Sequence, residues 1–432
     1  MPGPFNVSSA IHGIRTSNRG PFASGGNLYC FAFDGFQVIS AYVSSDNGET
    51  WNQVGDTRTA TSLTCSFGCC LSTDGQYIYV LYIADFPQRL QVSRFNLSLG
   101  DFDSDSSPGP VLESGAGSAP VSYIEQSADG TLVVMVKDFD PINGDSTIGL
   151  ATLSSGLGSW SSLDYPSGQD VDGTLFLGAG LVRGGASNRV HGFAVRDTSG
   201  VYVLLHILAY GDGGSIGSDF VEITEIESDF ENVSAAASGS LIAVAYNSAD
   251  VGIGDPMAVS VAIASDEDEP TFVSTVVDDT SLGTEDGSQV ELIGGESFKL
   301  VYWPAAGDVL CSRYSGSWSS PEAFFTPSDI ILQLDGFDLD SGFGFFFADT
   351  DFSVENPFSF YFEVPGGATI TGSVGIPSEE AFGKTHGVYG GGVPETCGAP
   401  VPLPPAVPCQ QIPVTPEYPG DQDSCPTSGY SL

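Results

Sequence analysis

Apolar residues in this chain come in short runs separated by small polar turns, and seven of the runs share a form. Asn27 to Phe33, Gln76 to Ile83, Thr131 to Lys137, Arg189 to Arg196, Ser240 to Tyr246, Ser297 to Trp303 and Gly342 to Ala348 each follow a small turn, often Asp-Gly or Gly-Ser. They recur roughly every 50 residues, a period that holds about four short strands. A loop and another apolar strand follow each one: Gln37 to Ser44, Leu90 to Leu97, Ile148 to Leu153, Val201 to Ala209, Ala258 to Ala264, Val309 to Tyr314 and Phe358 to Val364. Further strands are expected at Trp51 to Val54, Thr174 to Val182, Thr271 to Val277 and Ala368 to Val374. No helix of useful length is expected, since the best periodic segment, Ser378 to Lys384, is too short.

The first unit carries Ser44-Ser45-Asp46-Asn47-Gly48-Glu49-Thr50-Trp51, of the form S-x-D-x-G-x-x-W. In that spacing Ser44 and Asp46 can bond the amides of a tight turn, Gly48 can take positive φ, and Trp51 starts the next strand. The stretch resembles the Asp-box (BNR repeat) of sialidases and related β-propellers, which caps the hairpin between the third and fourth strands of a blade. With the repeat it implies an all-β fold, a β-propeller of seven blades, with six and eight as the neighbouring counts. Gly158-Ser159-Trp160 and Tyr314-Ser315-Gly316-Ser317-Trp318 read as degenerate boxes, so Trp51, Trp160 and Trp318 are expected at equivalent places near blade edges. Val7 to Gly13 is expected either as blade one's innermost strand or as the piece that completes blade seven. The stripes Phe343, Phe345, Phe347 and Phe358, Phe360, Phe362 read as packing between blades.

Composition agrees with many turns, at 55 glycines and 27 prolines in 432 residues. After Gly391 the pattern stops and prolines dominate, which predicts a propeller over 1–376 and, over 377–432, a linker and an extended Pro- and Cys-containing arm. The arm holds Cys397, Cys409 and Cys425, an odd number with no core to bury them. They are candidates for disulfides within the arm or to another chain. Cys65 and Cys70, with Cys69 between them, read as core thiols or one local disulfide. An arm of this kind is expected to reach a neighbouring subunit in a homo-oligomer.

The net charge is −42, from 54 acidic against 12 basic residues. Such a surface repels nucleic acid and anionic membranes, and no run is long enough to span a bilayer. High salt or bound divalent cations would relieve it, so a halophilic setting is expected. The start Met-Pro-Gly-Pro-Phe-Asn lacks the basic and apolar regions of a secretory leader. Either a leader is trimmed or the protein is assembled inside a cell and released by another route, as virion proteins are; Met1 at the head of the chain favours the second, with an extracellular location as the alternative.

The resemblance to sialidases implies three arginines on a substrate carboxylate, a Tyr nucleophile with a Glu partner, and an Asp acid. Arg15 and Arg19 lie near the first-arginine region, but the Arg-Ile-Pro motif is absent and no second or third arginine aligns. A negative protein also disfavours an anionic sugar. No catalytic residue is assigned, and His12, His191, His206 and His386 read as structural. Asp101, Asp103 and Asp105, and Asp335, Asp338 and Asp340, stand at near-alternate positions and are candidate Ca²⁺ ligands, Ca²⁺ being the one cofactor considered. Asn6, Asn96 and Asn232 head glycosylation sequons. The function expected is therefore a non-enzymatic structural or host-attachment component, on a virus tail, spike or capsid surface, contacting protein or a cell-surface glycan. The alternative is a secreted Asp-box glycan-binding protein or glycosidase.

Overall fold

A strand that is apolar at every position has no face to give to water, so it must lie between two neighbours. That is the situation of the runs at Gln76, Thr131, Arg189 and Ser240 in the computed structural model. The described residues are 5–6 and 22–374, except for 34–37, 46–51, 61–66, 85–87, 113–121, 140–145, 168–174, 186, 199–200, 227–232, 249–257, 280–288, 305–306, 326–329, 340–341, 351–356 and 365–367; from 324 onward the description is of backbone alone. They belong to the first of two units, Met1–Gly391 and Gly392–Leu432. The second unit lies outside the described residues, as does the whole stretch 377–432 expected as linker and arm, with Cys397, Cys409 and Cys425.

Among the described residues seven antiparallel sheets follow one another along the chain. Sheet 1 is Phe22–Ser24, Asn27–Phe33, Val38–Ser44 and Asn52–Thr59; sheet 2 is Gly68–Leu71, Tyr77–Ala84, Arg89–Asn96 and Asp101–Asp105; sheet 3 is Ser122–Gln126, Leu132–Phe139 and Ser146–Leu153. Sheet 4 is Leu175–Arg183, Val190–Thr198, Val201–Tyr210 and Val221–Ile226; sheet 5 is Val233–Ser238, Leu241–Ser248, Ala258–Ser265 and Val273–Asp278. Sheet 6 is Gln289–Ile293, Lys299–Trp303, Val309–Arg313 and Glu322–Phe325; sheet 7 is Ile330–Leu339, Gly342–Thr350, Pro357–Val364 and Ala368–Val374. Each is a meander, and from sheet 2 to sheet 7 the first strands of consecutive sheets pack side by side. This is a β-propeller, all-β, with no helix among the described residues. All seven runs singled out by pattern are second strands.

The core explains why. In Tyr77–Ala84, Ile78, Val80 and Tyr82 pack against sheet 1, with Phe31 and Ile39. The residues between them, Tyr79, Leu81 and Ile83, pack against sheet 3, with Ile124 and Val134. One strand, alternating by its pleat, thus serves two cores. The same split occurs in sheet 5, where Ile242, Val244 and Tyr246 face sheet 4 and Ala243 and Ala245 face sheet 6.

The start of the chain joins the last sheet. Phe5 stands opposite Phe358 and Asn6 opposite Pro357 on the third strand of sheet 7. Val7 to Gly13, expected in such a role, lies outside the described residues. In sheet 7, Phe343, Phe345 and Phe347 stand opposite Glu363, Tyr361 and Ser359, so the two phenylalanine stripes are not in register with each other.

Three expectations need adjustment. The fourth strand of sheet 1 runs from Asn52 to Thr59, beyond the expected Val54, because its far half is a polar edge that no apolar pattern marks. Among the described residues sheet 3 has no fourth strand; single bridges Leu153 to Trp160 and Leu150 to Asp164 take its place. Cys70, a candidate for a disulfide, is a buried thiol outside any disulfide, as are Cys30, Cys69 and Cys311, and burial pushes it well above its usual pKa. Cys65 lies outside the described residues.

Neighbouring sheets approach closely at their first turns. A Cβ on Gly185 would overlap the carbonyl oxygen of Gly239 in the next sheet, and one on Gly294 would overlap that of Ala237. Neither obstacle is a side chain that can swing away. Gly294→Ala is therefore expected to cost about 1–3 kcal/mol as overpacking. Gly213→Ala, where a Cβ meets nothing within 4 Å, should be near neutral. Urea midpoints of the two variants check the difference.

Candidate functional site

The turn from first to second strand follows a short rule in two sheets. Ser72-Thr73-Asp74-Gly75 and Ser127-Ala128-Asp129-Gly130 both have the form Ser-x-Asp-Gly. The serine hydroxyl donates to the aspartate at 2.6 Å in each, and the aspartate accepts the amide of Gln76 at 3.0 Å or of Thr131 at 2.9 Å. Gly75 (φ 66°) and Gly130 (φ 88°) supply the left-handed step.

From Asp129 a continuous polar network crosses sheets 3, 4 and 5. Asp129 accepts the Tyr210 hydroxyl at 2.9 Å and the Asn188 side-chain amide at 3.1 Å. Burial pushes its carboxyl up, but the bonds from Ser127, Thr131 and Tyr210 outweigh that and hold it at about 2. The Asn188 backbone amide donates to Asp212 at 2.9 Å, and Asp212 pairs with Arg189 at 2.8 Å. Arg189 then reaches sheet 5, donating to Asp268 at 2.5 Å and to the Asp266 carbonyl at 3.3 Å.

The Asp266 side chain, 3% exposed, is the inner end of this network. It accepts Ser187 Oγ at 2.8 Å and His191 Nε2 at 3.1 Å. His191 Nδ1 lies 3.0 Å from His206 Nε2. A carboxylate only accepts, so His191 carries its proton on Nε2, and its bare Nδ1 accepts from His206. Gly184 makes the room, since a Cβ there would overlap the Asp266 carboxylate. Burial lowers the pKa of His191, and burial together with His191 brings that of His206 down to about 3.

Ser, His and Asp meet here, but not as a nucleophilic triad. Ser187 bonds the carboxylate rather than an imidazole, so nothing takes its proton, and His191 is fully buried. The chemistry of the arrangement is to bind one sheet to the next. This agrees with the structural reading of His191 and His206; His12 and His386 lie outside the described residues.

The other sequence candidates are placed as follows. Ser44, buried, ends the third strand of sheet 1 and Asn52 starts the fourth, so the stretch from Ser44 to Trp51 lies between these two strands in sequence; Asp46, Gly48 and Trp51 lie outside the described residues. Trp160 and Trp318 both close the turn after a third strand. Asp101, Asp103 and Asp105 go to separate partners. Asp101 accepts the Asp56 amide at 2.6 Å, Asp103 accepts Arg94 at 2.7 Å and Asn96 at 2.9 Å, and Asp105 accepts Arg58 at 2.9 Å. Among the described residues no group of three His, Cys, Asp or Glu side chains could hold a metal ion. Asp335 and Asp338 stand opposite Phe346 and Phe343 in sheet 7; Asp340, Arg15 and Arg19 lie outside the described residues.

Pattern reading missed two first-strand glutamates. Glu125 in sheet 3 is pushed up by burial and drawn down by Arg183 at the end of sheet 4's first strand. Glu291 in sheet 6 accepts Ser234 Oγ of sheet 5 at 2.6 Å. With so many acids in the chain, neither had a distinguishing signal. The connections at the opposite end of the sheets, from second to third strand and from sheet to sheet, lie largely outside the described residues.

No family model and no curated protein matches the sequence. Among solved structures the chain is similar to polysaccharide lyase Uly1, with TM-score 0.53 and 9% identity over 84% of this chain and 92% of the lyase. It also shows weaker likenesses. One is to Penicillium chrysogenum α-L-arabinanase complexed with arabinobiose, at TM-score 0.47 and 11% identity over 84% and 97% of the two chains. Another is to the six-bladed Aleuria aurantia lectin, at 0.40 and 12% over 72% and 96%. At these identities the likeness is one of fold.

The buried histidines predict a pH dependence. Both are held below the ordinary value of about 6.5, so the unfolded chain takes up protons that the folded chain refuses. Stability is complete above about pH 6.5 and falls as pH drops toward 3, by at most about 1.4 kcal/mol per pH unit for each histidine. Urea melts at pH 7 and pH 5 measure the slope, and His206→Gln should lessen it. Asp266→Ala strands the buried imidazole and should cost about 2–4 kcal/mol at pH 7.

Proposed function

We propose that the chain is a non-enzymatic propeller of the Asp-box type, an attachment or structural component that contacts a neutral glycan or a protein surface. The observation that carries this reading is that the best-formed polar constellation, from Asp129 to His206, is consumed in bonds between sheets, its innermost groups buried away from any substrate. The charge of −42 supports a neutral or basic partner over an anionic sugar or nucleic acid. The name of the fold neighbour above, a polysaccharide lyase, supports the glycan part. A virion as the setting, a homo-oligomer held by the arm, and a saline environment remain proposals from sequence.

A second reading is favoured by Glu125. A carboxyl raised by burial on an inner strand is a general-acid candidate, as in a glycosidase. One experiment separates the two. The purified chain is applied to a panel of immobilised neutral polysaccharides and incubated with fluorogenic glycosides and sialosides. Retention without turnover is expected. Turnover abolished by Glu125→Gln would establish the enzyme instead.

A further inference from the structure

The outer strand of each sheet ends in unpaired backbone groups, and proteins blunt such edges with charge. Four of this chain's outer strands follow the rule. Asn52–Thr59 carries Asp56 and Arg58, Asp101–Asp105 three aspartates, Val221–Ile226 two glutamates, and Glu322–Phe325 one. Sheet 5 departs from it. Its outer strand, Val273–Asp278, reads Val-Ser-Thr-Val-Val before reaching Asp278, which is buried and accepts the Tyr302 hydroxyl at 2.6 Å.

Val273, Ser274, Thr275 and Val276 are exposed in succession, Val273 at 66% and Val276 at 55%. Among the described residues the strand pairs on one side only, with Ala258–Ser265, and is the last in its sheet. Exposed acids stand at both ends: Glu267, Asp268 and Glu269 before it and Asp279 after it. Ala368–Val374 of sheet 7 is also uncharged, but its nearest acids in sequence, Glu363 and Glu379, lie five residues from either end, whereas Asp279 directly follows Val273–Asp278.

We propose that the outer edge of sheet 5 docks an extended protein segment, uncharged and β-branched in the middle and basic at both ends, which adds to the sheet as a fifth strand. Backbone bonds and the exposed valines supply the affinity, and the acidic ends select the partner's charge. A second copy of this chain does not suit. Antiparallel pairing would set Glu267 and Glu269 of one copy against Asp279 of the other, and parallel pairing would bring like runs together, each on a chain of net charge −42. The inference is independent of the glycan reading.

The probe is a fluorescent peptide Lys-Lys-Thr-Val-Thr-Val-Thr-Lys-Lys titrated with the full-length chain. Saturable binding is expected, weakened at least tenfold by Val276→Lys and several-fold by the double change Glu269→Gln, Asp279→Asn, and lowered by 0.5 M NaCl. Melting curves verify that these exposed substitutions leave the fold intact, and Val273→Lys serves as the second variant if one does not. Equal binding of a peptide with glutamates for lysines, undiminished binding to the Lys variants, or no binding at all would overturn the proposal. So would self-association of the chain that Val276→Lys abolishes.

Discussion

The structure depends on strands buried on both faces. The second strands of sheets 2 to 5 are each shared by two cores, so none of these sheets has a hydrophobic face of its own to complete. Leu81 and Val80, adjacent in sequence and both without exposed surface, stabilise different interfaces. Burial of each such side chain is worth about 1.5–3 kcal/mol, and that gain exists only while both neighbouring sheets are in place. An open row of sheets would leave an unpaired face at each end, which is the physical reason to close it. The start of the chain, at Phe5 and Asn6, joins sheet 7 by a backbone ladder as well.

Double burial also decided what could be read in advance. A second strand must be apolar at successive positions, and a run such as Tyr77 to Ala84 stands out whatever surrounds it. Fourth strands face the opposite constraint. Asn52–Thr59 is polar along most of its length, and Trp160 to Asp164 makes only single bridges, so neither leaves a period in the sequence. The polar network was hidden for another reason. Asp129, Arg189 and Asp266 come from turns of three different sheets, and no local spacing joins them. A trace was nonetheless present, because Ser-x-Asp-Gly occurs at 72–75 and again at 127–130, and its aspartate faces the next sheet's turn in the second case.

Polar bonds at this end complement the apolar interfaces. Leucines pack in many registers, whereas Asp266 between Ser187 and His191 accepts only one. A buried carboxylate without its donors is costly, so a slip of sheet 4 against sheet 5 would be penalised at once. The close approach of Gly185 to the Gly239 carbonyl acts in the same direction, since it permits contact only where a side chain is missing. The sheets are thus driven together by the one kind of interaction and aligned by the other.

Scarcity of cations makes that alignment consequential for the surface. With 12 basic residues against 54 acidic ones, the positions of the arginines govern where the field is relieved. Arg58 joins sheet 1 to Asp105 of sheet 2, and Arg189 joins sheet 4 to Asp266 and Asp268 of sheet 5. Arg94, Arg196 and Arg313 each reach an acid on the outer strand of their own sheet. All five are therefore engaged with carboxylates where sheets or strands meet. The remaining carboxylates far outnumber the cations, and their field extends outward over about 8–10 Å at physiological salt. A partner approaching this protein meets that field before any contact forms, so its charge is screened first and its shape second. The same arrangement that fixes the sheets therefore sets the sign of what the surface admits.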